Sequence, residues 1–293
     1  MQRVIVTGGG GFIGSYLVDK LISMGIEVHV IDKSPSNINP KAYYHPFDIS
    51  VKLEIYDQLF ENIDIVFHLA AETSVQESIE NPYLHHKSNV TGTLNMLEAS
   101  KKANVKKFIF SSSSAIYGEP QYTPLDEKHP LNPLSPYALS KIIGEQYCKI
   151  YSELYNLNTI CLRYFNAYGD RMPNVGAYRS VISVFDEQHS KNLPLNIVND
   201  GNQKRDFIHA KDIAQANILA ALTPTGQNNI FNVGTGQAYT VNEIADMYGG
   251  KKQYGEKRIE PNCSIAENTK IKTKLNFNPK NNLKDYLKNK YHE

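Results

Sequence analysis

The chain has 293 residues, of which 31 are lysine or arginine and 30 are aspartate or glutamate, so its net charge is close to zero. This balance excludes a general attraction to nucleic acid or to anionic membranes. The N-terminus shows no signal-peptide pattern, and no apolar stretch approaches the roughly 20 residues that span a bilayer. Three scattered cysteines, Cys148, Cys161 and Cys263, indicate neither a disulfide framework nor a zinc site. We therefore expect a cytoplasmic protein with no nucleic-acid, membrane or metal partner.

Strand and helix patterns alternate over the first half of the chain. The predicted strands are RVIVTG, IEVHVID, IDIVFHLAA, KKFIFSSS and NTICLRYF, and the predicted helices are FIGSYLVDKLISM, NVTGTLNMLEASKKA and PYALSKIIGEQYCKIYSEL. Such alternation is typical of βαβ units, which build a parallel sheet with helices on both faces. We predict an α/β fold in which residues 1–166 form a Rossmann-type, doubly wound dinucleotide-binding domain.

The pattern changes after about Asn166, where elements become shorter and turn residues more frequent. Helical patterns remain in RSVISVFDEQHS, KDIAQANILAAL and NEIADMY. We predict that residues 167–293 form a smaller α+β region that mainly binds substrate and returns some of its chain to the Rossmann sheet. Ligands of such sheets bind beyond the carboxyl ends of the strands, where the strand order reverses.

A glycine-rich loop, VTGGGGFIGS, follows the first strand and opens the first helix. Gly9, Gly11 and Gly14 match G-x-G-x-x-G, and Gly8, Gly11 and Gly14 also match G-x-x-G-x-x-G. Glycines allow positive φ and close approach of the backbone to a pyrophosphate, which the helix N-terminus then binds. Asp32 ends the second strand near the offset expected of the acid that binds the adenosine ribose, and its charge would repel a 2′-phosphate. The loop therefore predicts NAD rather than NADP, the alternative being a glycine turn without a ligand.

The stretch SPYALSK places Tyr137 and Lys141 four residues apart on a predicted helix, so their side chains share a face. A nearby ammonium favours phenolate and lowers the pKa of a tyrosine, which is otherwise about 10. The spacing also occurs by chance in helices without chemistry. However, FIFSSSSAIYG ends a strand of the same sheet with a run of hydroxyls that could hydrogen-bond a substrate oxygen. We interpret the pair as an acid/base unit.

Several motifs occur in an order that resembles a known family. They are TGGGGFIG, FDIS, FHLAA, NVTGTLNMLEA, SSSSAIYG, YALSK, RYFNAYG, NDGNQKRDFIHAKDIA and FNVGTG. The chain resembles the extended short-chain dehydrogenase/reductases from about Val4 to Pro279, and within them the nucleotide-sugar epimerases and dehydratases. The segment DRMPNVGAYRSVISVF is similar to epimerases that act on UDP-glucose and UDP-N-acetylglucosamine.

The resemblance implies roles for individual residues. Tyr137 would be the acid/base, Lys141 would tune it and bind the nicotinamide ribose, and Ser113 would be the catalytic hydroxyl. The other residues implied at NAD are Gly8, Gly11, Phe12, Ile13, Gly14, Asp32, Asp48, Ile49, Leu69, Ala70, Ala71 and Tyr164. The residues implied at the sugar nucleotide, besides Ser113, are Thr73, Val75, Asn166, Ser180, Val181, Arg205, Arg258 and Ser264. Arg205 and Arg258 would clamp the diphosphate, because planar guanidinium groups bind phosphate bidentately.

Simpler interpretations stay open for some of these residues. Arg205 could instead form an ion pair with Asp206 or Asp212, and Arg258 could be a surface arginine. Thr73 and Val75 could serve loop packing alone. His68 reads as a packed histidine, and His85 has no metal-ligand partners at useful spacing.

The reaction is indicated by the residues that follow Ser113. Dehydratases of the family carry an Asp-Glu pair there, whereas this chain has Ser114 and Ala115. Alanine cannot transfer a proton, so elimination of water lacks its machinery. Ser264 aligns with the position that limits the size of the C2 substituent, and a small residue there would leave room for an N-acetyl group. We predict an NAD-dependent nucleotide-sugar 4-epimerase acting on UDP-glucose/galactose or on UDP-GlcNAc/GalNAc.

Other functions remain as alternatives. A nucleotide-sugar reductase or dehydrogenase would turn over NAD(P)H, and a 4,6-dehydratase would release water. A dinucleotide-sensing protein would need the glycine loop and Asp32 but not Tyr137 and Lys141 as well. Relatives commonly dimerise through the two long helices of the first half, so we expect a homodimer. Ile142, Ile143 and Tyr147 could lie in that interface or in the core.

Overall fold

The computed structural model describes residues 1–173, 180–224, 228–255 and 261–291. In chain order the strands of this part are β1 (Arg3–Thr7), β2 (Glu27–Ile31), β3 (Tyr43–His45), β4 (Ile65–His68), β5 (Lys107–Ser113), β6 (Thr159–Tyr164), β7 (Asn166–Tyr168), β8 (Leu195–Ile197), β9 (Lys204–His209), β10 (Asn229–Val233), β11 (Ala238–Thr240), β12 (Lys252–Tyr254) and β13 (Cys263–Ser264). The α-helices are α1 (Phe12–Ser23), α2 (Tyr56–Leu59), α3 (Val75–Glu80), α4 (Pro82–His85), α5 (Gly92–Lys102), α6 (Pro136–Tyr155), α7 (Val181–Ser190), α8 (Ala210–Leu222), α9 (Val241–Tyr248), α10 (Thr269–Leu275) and α11 (Leu283–Tyr291). A π-helical segment spans His86–Thr91 and a 3₁₀ turn spans Ser114–Tyr117.

Seven parallel strands form the main sheet in the order β3-β2-β1-β4-β5-β6-β10. The order reverses at β1, because chain-adjacent β2 and β3 lie on one side of it and β4 lies on the other. Thr7, the last residue of β1, pairs with Ile31 of β2 and His68 of β4. The predicted Rossmann-type sheet is confirmed, and its ligand crevice is expected at the carboxyl ends of β1 and β4.

Both faces of the sheet are buried, as the near-continuous apolar strands predict. Val4 and Val6 face a core that also contains Leu17 of α1. Ile5, between them, faces the opposite core, which contains Leu97 of α5. This alternation follows from the two-residue period of a strand.

The smaller region is built around β9, which pairs in parallel with β7 and β13 and antiparallel with β11. A separate pair, β8 and β12, packs nearby against the same core, which includes Phe185, Phe207 and Tyr248. The chain then returns to the main sheet, because β10 pairs in parallel with β6 along the edge. The two regions are therefore interleaved along the sequence.

Candidate active site

The glycine loop folds tightly against the loop after β4. Gly8 has φ +70°, and a Cβ there would lie 2.7 Å from the backbone nitrogen of Ala70. A Cβ on Gly14 would lie 2.1 Å from the carbonyl oxygen of Gly8. The helix α1 begins after Gly11, which offers no side chain to its first N–H groups. Those N–H groups are available to an anion, so the loop fits the pyrophosphate of a dinucleotide.

Asp32 lies directly after β2 and beside this loop. One carboxylate oxygen accepts the N–H of Gly10 at 3.0 Å, and the other accepts the N–H of Ser34 at 3.0 Å. Each oxygen keeps a second lone pair for a ribose hydroxyl. Lys33 forms an ion pair with Glu72, and this hydrogen bond raises the pKa of the lysine. The ammonium of Lys33 is therefore already paired with a carboxylate of the protein, which fits the predicted preference for NAD.

The other residues predicted at NAD also lie at strand ends or helix starts. Phe12 and Ile13 open α1, Asp48 and Ile49 follow β3, and Leu69, Ala70 and Ala71 follow β4. Ile49 is buried and packs against Gly92, whereas Asp48 is exposed. Tyr164 is buried, with its hydroxyl hydrogen-bonded to Ser111 and Asn217, and burial raises its pKa to about 12. Its phenol is thus held inside the protein, and its contact with NAD stays a prediction.

The three predicted catalytic residues lie on two packed elements. Ser113 ends β5, where its half-buried hydroxyl accepts the N–H of Ala115 at 3.1 Å. Tyr137 lies in the first turn of α6, which begins at Pro136 and is capped by the hydroxyl of Ser135. The phenol is half-buried, at the carboxyl edge of the sheet where the crevice is expected.

Lys141 is buried, with only 5% of its surface exposed. Its Nζ donates to the carbonyl oxygen of Ser111 at 2.9 Å and lies 5.9 Å from the centre of the Tyr137 ring. It also lies 5.2 Å from the centre of the Phe110 ring. Burial disfavours the ammonium and lowers the pKa of Lys141 to about 8. A cation held so close to a phenol favours the phenolate form, as general-base chemistry requires.

Asn89 connects the loop after β4 to α6, the helix that carries Tyr137 and Lys141. Its side chain accepts the N–H of Glu72 at 2.8 Å and donates to the carbonyl oxygen of Glu72 at 2.9 Å. It also donates to the hydroxyl of Ser140 at 3.0 Å, which in turn donates to the carbonyl oxygen of Tyr137 at 2.7 Å. Asn89 lies in the π-helical segment, a kind of widened turn that often marks functional sites.

His68, the last residue of β4, is packed between Thr7 of β1 and Thr93 of α5. Its ring nitrogens are 2.8 Å from the hydroxyl of Thr7 and 2.9 Å from that of Thr93. Because Thr93 donates to a carbonyl oxygen, it accepts from Nε2 of His68, and Thr7 donates to Nδ1. Burial lowers the pKa of His68 to about 3, so the imidazole is neutral.

A buried ion pair lies behind the catalytic residues. Glu145, one helical turn after Lys141, accepts two hydrogen bonds from Arg163, at 2.9 Å and 2.7 Å. The same carboxylate accepts the hydroxyl of Ser112 at 2.6 Å. The two charged side chains are 2% and 3% exposed. This contact ties α6 to β5 and β6, and no sequence pattern pointed to it.

Three predicted substrate residues are brought together by β9. Arg205 on β9 is the register partner of Ser264 on β13. Asn166 at the start of β7 donates to the carbonyl oxygen of Asp206 at 2.8 Å. The buried carboxylate of Asp206 accepts hydrogen bonds from the backbone N–H and the hydroxyl of Thr235 and from two further backbone N–H groups. Burial raises the pKa of Asp206, although the hydrogen bonds to its carboxylate act in the opposite direction.

The remaining predicted substrate residues lie at helix starts, in a loop, or outside the described residues. Ser180 caps α7 by accepting the N–H of Ser183, and Val181 opens that helix. Thr73 and Val75 are exposed in the loop after β4 and at the start of α3. Arg258 lies outside the described residues, so its predicted clamp stays a prediction.

Comparison with known proteins places this geometry in a family. A sequence model described as the NAD dependent epimerase/dehydratase family matches residues 4–234. The chain belongs to this family. Membership of this family explains the glycine loop and the dependence on NAD.

Individual members of the family match nearly the whole chain. The structure of the UDP-glucose 4-epimerase of Thermotoga maritima with UDP-glucose is 37% identical, covers 98% of this chain and 96% of its own, and has a TM-score of 0.93. The UDP-N-acetylglucosamine 4-epimerase of Methanobrevibacter ruminantium, in complex with UDP-N-acetylmuramic acid, is 35% identical with the same coverage and a TM-score of 0.92. A UDP-glucuronate 4-epimerase of Thermodesulfobacterium geofontis is 33% identical over 98% of this chain and 94% of its own.

The described part of this family member contains neither a helix that could cross a membrane nor a cluster of three metal-ligating side chains. Among its helices there, none is both long and apolar enough to cross a membrane. Within the same residues, no three His, Cys, Asp or Glu side chains converge in a way that could hold a metal ion.

Proposed function

We propose that the chain is an NAD-dependent 4-epimerase of a UDP-hexose. The observation that supports it most is the buried ammonium of Lys141, placed 5.9 Å from the ring of Tyr137. Ser114 and Ala115 stand where a dehydratase carries its acid and base. The catalytic unit can thus move one proton at a sugar hydroxyl but lacks groups for eliminating water.

In this function the residues of the chain manage the proton. Tyr137 takes the proton of the sugar's 4-hydroxyl, while the charge of Lys141 stabilises the phenolate that precedes this step. The hydroxyl of Ser113 hydrogen-bonds the same oxygen. When bound, NAD supplies the redox chemistry by accepting the hydrogen of C4 as hydride and returning it. Tyr137 keeps the proton while the 4-keto sugar turns, and then returns it to the oxygen.

The nucleotide end is assigned to the cluster around β9. Arg205 and Asn166 would hold the diphosphate, with Arg258 as a second clamp. Ser264 is half-buried beside Arg205, and its small side chain favours space for a C2 N-acetyl group. Relatives named for UDP-glucose, UDP-N-acetylglucosamine and UDP-glucuronate have 37%, 35% and 33% identity, so identity alone does not select the sugar.

A panel of UDP-sugars tests the function. The purified protein is incubated with UDP-glucose, UDP-GlcNAc or UDP-glucuronate, and proton NMR follows the C4 epimer. We expect epimer without consumption of NAD, and none from a Tyr137→Phe variant. A 4-keto-6-deoxy product would instead indicate a dehydratase, and stoichiometric oxidation or reduction of the nicotinamide would indicate a reductase or dehydrogenase. Binding of NAD without any conversion across the panel would favour the sensing protein.

We also propose a homodimer through α5 and α6. Support comes from Leu139, Ile150 and Leu154 on α6, which are 49%, 44% and 68% exposed. In contrast, Ile142 and Tyr147 pack against cores of their own chain, which makes them weaker interface candidates. Sedimentation should give a dimer for the parent and a monomer for Leu154→Glu, and a parent that sediments as a monomer would contradict the proposal.

A further inference from the structure

His85 ends the short helix α4 and lies against Tyr137. Its side chain is fully buried, at 0% exposure. The two rings meet edge to face, with centres 6.4 Å apart and planes at 86°. Among the described residues, neither ring nitrogen of His85 has a hydrogen-bond partner. A buried polar group in that state loses its hydration without replacement, so the position calls for a compensating interaction.

Glu77 on α3 can supply that interaction. Its Oε2 lies 3.6 Å from Nε2 of His85, and its side chain is 36% exposed. A shift of less than about 1 Å would bring the two atoms to the distance of a charge-assisted hydrogen bond. An imidazole that donates one N–H to a carboxylate has its tautomer and its ring plane set by that contact. Glu77 can therefore orient the ring that faces Tyr137.

We propose that His85, oriented by Glu77, is a positioning residue that holds the phenol ring of Tyr137 in place for proton transfer. This proposal rests on the 4-epimerase function. Tyr137 already has Lys141 5.9 Å from its ring centre, and His85 supplies a second, rigid contact. Edge-to-face pairs are a favoured arrangement of aromatic rings.

The epimerase reaction gives this contact a purpose. The phenol has to meet the same sugar oxygen in two orientations of the sugar, so the substrate cannot itself hold the ring in one place. The protein has to do so, and a misplacement of about 1 Å can lower a rate about 100-fold. His85 does not touch substrate or cofactor in this assignment. It acts through Tyr137.

Substitutions separate the aromatic contact from general packing. We expect His85→Ala to lower kcat about tenfold while the KM for the UDP-sugar changes less than about twofold. His85→Phe keeps an aromatic edge and should stay within about threefold of the parent kcat. Glu77→Ala should lower kcat about threefold. An unchanged kcat in His85→Ala, or an equal loss in the alanine and phenylalanine variants, would overturn the proposal.

A matched variant controls for loss of a buried histidine. His29 on β2 is also buried, at 7% exposure, and its ring contacts Glu27 and His45 near the opposite edge of the sheet. His29→Ala should lower Tm without changing kcat. If it lowers kcat as much as His85→Ala does, the effect at His85 is general destabilisation and the proposal fails.

A spectroscopic measurement keeps this proposal separate from the function itself. In protein with ¹³C-labelled tyrosine rings, the Tyr137 signal is the one missing from Tyr137→Phe. We expect His85→Ala to shift that signal, because it removes a neighbouring ring current, and His85→Phe to shift it less. If no UDP-sugar is turned over but this signal moves, the function fails and the positioning contact stands. If the signal does not move, the positioning contact is overturned whatever the activity.

Discussion

The Nζ of Lys141 donates a hydrogen bond to the carbonyl oxygen of Ser111 at 2.9 Å and lies 5.9 Å from the centre of the Tyr137 ring. Ser111 belongs to β5, so a buried cation on the helix is anchored to the strand that ends in Ser113. One side chain thus links the two elements that carry the predicted catalytic groups.

Removing the phenol hydroxyl should abolish proton transfer without loosening the site. We expect Tyr137→Phe to lower kcat about 10²–10⁴-fold, the usual contribution of a positioned acid/base, with KM changed only severalfold. Steady-state kinetics on the UDP-sugar measures both. Tyr155→Phe is the control, because Tyr155 lies on the same helix but is 48% exposed at its far end. Near-parental turnover by Tyr137→Phe would rule out the assigned role.

Lys141 should make stability depend on pH in a defined direction. Its pKa is about 8 in the folded protein, against about 10.4 in an unfolded chain. Between these values the unfolded chain binds the extra proton, so this group makes folding more favourable as pH rises, by up to about 1.4 kcal/mol per unit. Below pH 8 both states are protonated and the contribution is constant.

Denaturation of the parent and of Lys141→Met at several pH values checks this direction. The parent should gain about 2–3 kcal/mol relative to the variant between pH 7.5 and 10. Lys149→Met, at an exposed lysine of the same helix, is the control and should run parallel to the parent. If the stability of Lys141→Met changed with pH in parallel with that of the parent, the buried lysine would not titrate in this range.

The charge of Asp32 should select between the two dinucleotides. Asp32→Asn keeps an acceptor for the N–H of Gly10 or Ser34 but removes the repulsion of a 2′-phosphate. We expect the preference for NAD over NADP to fall at least about tenfold, measured as the ratio of the two Kd values. Asp57→Asn, at an exposed aspartate on α2, should leave that ratio unchanged. A constant ratio in Asp32→Asn would place the selectivity elsewhere.

The buried pair Glu145 and Arg163 should be costly to break from one side. Glu145→Gln leaves the guanidinium buried without its counter-charge, so we expect unfolding free energy to fall by about 3–5 kcal/mol. Combining it with Arg163→Met removes the stranded charge and should recover at least half of the loss. Glu153→Gln, in an exposed pair, should change stability by less than about 0.5 kcal/mol. Denaturant titrations give all three values. A double variant as unstable as the single one would contradict this account.

Much of the sheet could be predicted from local pattern. Short β-branched runs such as that of Val4–Val6 alternate with amphipathic stretches such as α1, and both periods are visible without long-range information. The glycine loop and Asp32 add a motif whose spacing reflects one compact unit. From these features the sequence predicted a dinucleotide crevice and a helix carrying Tyr137 and Lys141; that helix is α6, and the acid/base role of the two residues stays a prediction.

The supporting contacts could not be predicted, because they join residues far apart in sequence. Asn89 meets Ser140 across 51 positions, and Asp206 meets Thr235 across 29. Neither pair follows a helical or strand period. The packing of His85 against Tyr137 likewise depends on how α4 docks on α6, which no local pattern shows. Local patterns specify elements, whereas such docking is set by the assembled core.

The return of β10 to the edge of the main sheet has a consequence for how the molecule can be divided. Cutting the chain after Asn166 would strip β6 of β10, one of its two neighbours, and leave a buried, apolar strand as an open edge, which invites association with other chains. The hydroxyl of Tyr117 would also lose Asn232, to which it donates at 2.6 Å. The dinucleotide half is therefore not a transplantable module, and we expect both halves to melt in a single cooperative transition.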